Sequence, residues 1–361
     1  MKKEILLSYF PKISYKRYQD ILHSFPNLEQ SWGAPLEEHL KRLIWPTETV
    51  LEFYYWKQKL EPAKIEATLK KENIYCVSIA DPLYPTLLKH IPDPPVCLFS
   101  KGDLHIQAPP LAVVGTRKNS NYGARITKTL LGELFKEYRI TLISGLAFGI
   151  DSIAHQVALD TKQKTIAVLG SGIDPKSLYP KAQAGLAENI LRNEGAVISE
   201  CPPGTEASLF SFPKRNRIIA GMSLGTLVIE AGKKSGALIT ADCALEYNRE
   251  VFAVPQNIDS PSACGVNGLI KKGAVPILSA EDLAEALNLR KSTQYDNNHK
   301  DTGCSLMEKQ VLELISHEPT HIDQIIRQSD ETRGNINAAL SILEINGLIR
   351  NVGSMMYELA S

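Results

Sequence analysis

Short apolar runs recur through the middle of the chain: LAVVG from Leu111, ITLIS from Ile140, TIAVLG from Thr165, AVISE from Ala196, TLVIEA from Thr226, VFAVP from Val251 and AVPIL from Ala274. Each is rich in β-branched residues and apolar at successive positions, with no polar alternation. A strand covered by helices on both faces reads this way. Amphipathic stretches separate the runs, which predicts a series of βαβ units around a parallel sheet. Ahead of them, apolar and aromatic residues such as Tyr15, Tyr18, Ile21, Leu22 and Phe25 fall at helical spacing, predicting a small helical domain over residues 1–72. A Pro-rich approach, DPLYPTLLKHIPDPP, leads into the first run. After the last, the polar stretch RKSTQYDNNHKDTG predicts a linker over 291–304. From Ser305 come two or three short helices and then NGLIRNVGSMMYELA, which reads as turn, strand, glycine turn and strand. That is a winged-helix pattern over 305–361. The fold class expected is α/β: an extended Rossmann-like parallel sheet over 73–290, flanked by the helical N-terminal domain and the C-terminal winged helix.

Composition narrows the setting more than the function. With 43% hydrophobic and 22% charged residues in 361, the chain has the make-up of an ordinary globular protein of two or three domains. No apolar run approaches the ~20 residues of a membrane span, and the start, MKKEILLSYFPK, is broken too early by Ser8 and Pro11 for a secretory signal. The six cysteines, Cys76, Cys97, Cys201, Cys243, Cys264 and Cys304, form no CxxC pair. They indicate no zinc site and no disulfide framework, and reduced thiols in the cytoplasm are expected. Basic and acidic residues balance at 40 each, so the net charge argues for no polyanionic partner. Divided by segment, residues 1–100 carry 13 basic and 12 acidic groups, 101–304 carry 23 and 20, and 305–361 carry 4 and 8. Any site for a polyanion must therefore be a local basic cluster outside the acidic tail.

In an open α/β sheet the ligand lies beyond the carboxyl ends of the strands, so the residues after each run carry the chemistry. They are VGTRKNSNYG with Gly115, Thr116, Arg117 and Ser120; SGLAFGIDSIAH with Ser144, Gly145 and Gly149; GSGID; ECPPGT; and EAGKKSGALITA with Lys233, Lys234, Ser235 and Gly236. FSFPKRNRIIAGMS, with Phe212, Lys214, Arg215, Asn216 and Arg217, precedes the fifth run. Glycine at such turns lets backbone N–H groups approach an anion, and the helix N-termini behind them favour negative charge. One nucleotide needs one or two such turns; a row of them with this many cations suits a polyanion. GLAFG lacks the lysine of a P-loop, and GTRKNSNYG lacks the third glycine of a dinucleotide fingerprint. Asp151 and His155, four apart at a helix start, could form an acid/base or metal pair, but a capping Asp above a packed His accounts for them more simply. Arg215 and Arg217 have a structural alternative too, as ion-pair anchors to acids such as Glu200 or Glu230.

In this order, the blocks VGTRKNSNYG, SGLAFGIDSIAHQVAL, TIAVLGSGID with Tyr179-Pro180, ISECPPGT, FPKRNRIIAGMS and VIEAGKKSGALITADCALEYNREVFAVPQNI with GVNGLIKKGA resemble the DNA-processing protein A family (DprA, also called Smf). The resemblance runs from about Leu111 to Ala274. It implies a Rossmann-like domain that binds single-stranded DNA, forms a homodimer and helps load the RecA recombinase during DNA uptake and recombination. It implies no catalysis, no cofactor, no metal and no membrane. The positions that it makes DNA contacts are Arg117, Ser120, Ser144, Gly145, Phe212, Arg215, Asn216, Arg217, Ser235 and Gly236, to which the turn chemistry adds Gly115, Thr116, Lys214 and Lys234. Two departures stand out. Many members carry an Asn soon after the Tyr-Pro, where this chain reads YPKAQAGL, so this loop is expected to meet DNA differently. The N-terminal FPKISYKRY also lacks the Gly-Pro hairpin of some relatives. The competing reading is a nucleotide-processing hydrolase resembling the lysine-decarboxylase-like Rossmann family, with Glu230 of GMSLGTLVIEA as catalytic acid. That family's double-glycine turn is absent, and Glu230 stands one residue off its spacing.

Overall fold

A computed structural model of the chain describes residues 1–291 and, in the tail, residues 311, 314–315, 320–329, 332–345, 349–353 and 355–359. Beyond Lys291, the expected linker lies outside the described residues. Residues 1–290 and 291–361 are separate units.

The first unit opens with helices α1 (Lys3–Leu7), α2 (Tyr15–Ser24), α3 (Leu28–Gly33), α4 (Leu36–Arg42), α5 (Thr47–Lys59) and α6 (Pro62–Lys71). Ser14 and Asn27 start α2 and α3 by accepting backbone N–H bonds from Arg17 and Gln30. Strands β1 (Tyr75–Ser78) and β2 (Cys97–Gly102) follow, with α7 (Thr86–Lys89) between them. The seven apolar runs of the sequence are β3 (Pro110–Val114), β4 (Thr141–Ser144), β5 (Thr165–Leu169), β6 (Ala196–Ser199), β7 (Gly225–Val228), β8 (Glu250–Ala253) and β9 (Val275–Pro276). Between them stand α8 (Asn121–Glu137), α9 (Ile150–Asp160), α10 (Ala184–Arg192), α11 (Ser211–Gly221), α12 (Gly236–Glu246) and α13 (Ala263–Lys271), and α14 (Ala280–Ala286) ends the unit.

All nine strands form one sheet in the order β1-β2-β6-β5-β4-β3-β7-β8-β9. Strands β3 to β9 pair in parallel, while β1 and β2 join antiparallel at the β6 side. Successive side chains go to opposite faces, as the pleat requires. Ala112 and Val114 of β3 enter one apolar cluster with Ile218, Ile219 and Ala241, and with Leu7, Phe10 and Phe53 of the N-terminal helical region. Leu111 and Val113 enter a second with Leu131, Leu134, Ala154 and Leu283. Both faces are thus covered, which is why the runs carry no polar alternation.

The strand order also fixes where a ligand belongs. From β3 the chain builds outward through β4, β5 and β6, then returns to place β7 against the other side of β3 and continues through β8 to β9. At this reversal the loops leaving β3 and β7 diverge to opposite faces and open a crevice, the ordinary binding position of a doubly wound sheet.

In the second unit, helices over Ile322–Gln328 and Arg333–Ile345 lie with strands β10 (Thr320–His321), β11 (Ile349–Gly353) and β12 (Met356–Leu359). The strands pair antiparallel in the order β10-β12-β11. Ile325, Ile336, Leu340, Leu343 and Ile349 form its core. The expected winged-helix hairpin is β11–β12; the short β10 was not legible.

Candidate nucleic-acid interface

At the β3/β7 crevice lies a cleft of about 660 Å³. It brings together Gly115, Thr116, Arg117, Phe212, Arg215, Asn216, Lys234, Ser235 and Gly236, with Lys233 and Asp151 beside them. One wall is the turn after β3. A Cβ on Gly115 would stand 2.5 Å from Ile150 Cγ1, so only glycine lets α9 close under this turn. The Thr116 amide is held by the Glu230 carbonyl at 2.8 Å. The opposite wall is the Gly232–Ser235 turn and the start of α12, where Ser235 accepts a bond from the Ala237 N–H. The positive end of that helix's dipole faces the cleft.

The charges over this backbone are not all equivalent. Arg117, Lys233 and Lys234 are exposed and enter no ion pair among the described residues. The Arg117 guanidinium lies 4.9 Å from the Phe212 ring centre, stacked over it. Lys214, by contrast, is paired with Glu200 at 3.1 Å and does not line the cleft.

The arginines of PKRNR are buried. Helix α11 starts at Ser211, before that string, with Pro213 in its first turn where a missing N–H costs nothing. Arg215 and Arg217 therefore lie within the helix body, each only 6% exposed. Arg215 donates through Nη1 to the carbonyls of Gly145, at 2.5 Å, and Val168. Burial pushes its pKa down to about 10, against the stabilising charge of Asp151. Burial likewise raises the Asp151 carboxyl, which accepts the Gly145 N–H at 3.2 Å. His155, beneath it, bonds Thr165 Oγ1 at 2.7 Å, and burial lowers its pKa to about 3. Arg217 donates to the Asp93 carbonyl and, at 2.7 Å, to Glu200 Oε1. Asn216 Nδ2 holds the Gly236 carbonyl at 3.1 Å, setting the end of α12.

Three more predicted positions serve the frame. Ser144 is fully buried and donates to the Val113 carbonyl at 2.6 Å, tying β4 to β3. Gly145 leaves room for Arg215, whose Nη1 would stand 2.2 Å from a Cβ there. Ser120 caps α8, accepting the Gly123 N–H at 3.0 Å while its own N–H and Oγ donate to Glu230 Oε2 at 3.0 and 3.2 Å. Glu230 is 1% exposed and does not line the cleft, so its carboxylate is a buried cap partner rather than an acid facing a ligand. Ser120→Ala should lower folding stability by about 1 kcal/mol, the usual worth of a cap. A lower melting temperature with unchanged oligonucleotide affinity of the folded protein is the expected result.

A nine-stranded, doubly wound sheet whose crevice is lined by exposed cations in no ion pair among the described residues defines a Rossmann-like protein with a basic cleft. The family model described as DNA recombination-mediator protein A matches residues 75–288, and that of the DprA winged helix domain matches 303–353. Protein Smf of Escherichia coli is 33% identical over 332 residues, spanning 90% of this chain and 84% of its own. The structure of DprA from Streptococcus pneumoniae superposes with a TM-score of 0.65 at 34% identity, covering 78% of this chain and 95% of that one. A DprA structure from Helicobacter pylori, described for its single-stranded DNA binding mode, has a TM-score of 0.52 at 28% identity, covering 59% and 95%. The chain belongs to the DprA/Smf family of DNA recombination mediators. Among the described residues no helix is long and apolar enough to cross a membrane.

Proposed function

We propose that this protein binds single-stranded DNA through its phosphates along the β3/β7 cleft, without catalysis, and as a homodimer passes it to the RecA recombinase during DNA uptake and recombination. The observation that carries the reading is the set of cations in no ion pair among the described residues, Arg117, Lys233 and Lys234, standing over two glycine turns and a helix N-terminus in one cleft. Backbone N–H groups and cations grip phosphates and read no bases, so affinity should show little sequence preference. Binding of single-stranded DNA by the Helicobacter pylori relative supports the choice of polymer. The burial of Glu230 behind the Ser120 cap counts against a hydrolase reading that would use it. Gly236, the first residue of α12, supplies a backbone seat in this scheme, while Gly115, Thr116 and Ser235 shape the turns and Arg215, Asn216 and Arg217 hold the walls.

The test is a salt titration of affinity for single- and double-stranded oligonucleotides. Single strands of different sequence should bind alike and better than duplex. Arg117→Ala should lower the slope of log K against log salt by roughly 0.7, the share of one neutralised phosphate. Arg117→Lys should recover part of the affinity, since the charge returns without the two-pronged grip. Equal affinity for duplex, or preference for a mononucleotide, would refute the proposal.

A further inference from the structure

Two aromatic rings stand in the open at the edge of the cleft. Tyr179, in the loop from β5 to α10, and Phe148, in the turn from β4 to α9, are each 45% exposed. They border one small indentation with Arg117, Gly170, Pro180 and Phe212. Arg117 also lines the main cleft, so the rings begin where the run of phosphate seats ends.

Phe212, the aromatic of the FPKRNR block, is engaged on two sides. The Arg117 guanidinium lies 4.9 Å from its centre, and the Tyr179 ring packs at 5.7 Å with a 46° tilt. Its half-buried position makes it the backing of the ledge. The faces left to solvent belong to Tyr179 and Phe148. The indentation between them holds about 20 Å³, little more than a water molecule, so a base cannot enter and must lie on the rings. Lys181, two residues past Tyr179, is exposed and in no ion pair among the described residues, which keeps this end of the track favourable to a polyanion.

We infer that Tyr179, backed by Phe212 and flanked by Phe148, is a stacking platform for unpaired bases next to the Arg117 phosphate seat. The inference rests on the proposed binding of single-stranded DNA. Every base has a π-face, so the platform accepts purines and pyrimidines alike. A duplex keeps those faces inside its own stack, so the platform favours single strands where phosphate seats alone discriminate little.

The experiment compares oligothymidylate with an abasic oligomer of equal length, which has the phosphates without the bases. Tyr179→Ala should weaken thymidylate binding about 5- to 150-fold, the worth of one stacked base. It should leave abasic affinity and the salt slope unchanged, and Tyr179→Phe should restore binding. Equal loss on both oligomers, or none on thymidylate, overturns the platform. If Tyr179→Ala melts below the assay temperature, Phe148→Ala decides on the same pair: a loss confined to thymidylate supports the platform, and equal affinities overturn it. A wild-type protein that binds neither oligomer overturns the DNA reading itself, and the platform with it.

Discussion

Replacing Arg215 by alanine is expected to cost about 2–6 kcal/mol of folding stability, since two buried carbonyls lose their donor at about 1–3 kcal/mol each. Its guanidinium bonds the Gly145 carbonyl beyond β4 and the Val168 carbonyl within β5, and so joins two neighbouring strand ends. Alanine leaves both carbonyls short of a donor and strands the Asp151 carboxyl in a buried site without the cation that favours its charge. Burial then pushes Asp151 further toward its neutral form. Denaturant unfolding measures the loss directly. Arg215→Lys should recover part of the loss, because both carbonyls are served by the single Nη1 and an ammonium also carries several N–H donors, though on a shorter stem. Unchanged stability with lost DNA affinity would move Arg215 to the binding surface.

The triple replacement of Arg117, Lys233 and Lys234 by alanine should reduce single-strand affinity at least about a thousandfold. Hydrogen bonds to charged groups are typically worth 1.5–3 kcal/mol each, and every 1.4 kcal/mol is tenfold in affinity. The salt slope should fall by about 2, at roughly 0.7 for each of three phosphates. Folding should scarcely change, since none of the three enters an ion pair among the described residues. Fluorescence anisotropy across a salt series, beside a melting curve, separates this outcome from that of Arg215. A melting temperature lowered as far as by Arg215→Ala, with the slope intact, would remove these cations from the interface.

Arg117 and Arg215 look alike as letters, and their different positions show what a sequence conveys. Strands β3 to β9 are legible because helices cover both faces, so apolar residues run unbroken through each. The glycine turns are legible for a related reason: close approach excludes Cβ atoms at Gly115 and Gly145, whatever the ligand. Strands β1 and β2 escaped because they flank the Pro-rich approach and join antiparallel at one side, outside the βαβ rhythm. The burial of Arg215 and Arg217 left no mark in PKRNR, since polar letters in a row describe a wet surface and a buried polar network equally well. What separates the two is α11 lying against the sheet beneath the N-terminal helices, which is a tertiary fact. Tyr179 left a faint signal, an aromatic in a Gly- and Pro-punctuated loop beyond a strand end. Its exposure became visible only once Phe212 was seen to occupy the position behind it.

At β9 the sheet stops on two residues, the second of which is Pro276. Proline has no N–H to give to another strand, and so short a border offers little ladder to a passing extended chain. This side of the molecule therefore resists the edge-to-edge growth by which exposed strands template amyloid-like stacking. Two copies of the proposed homodimer cannot be welded through this edge into one continuous sheet.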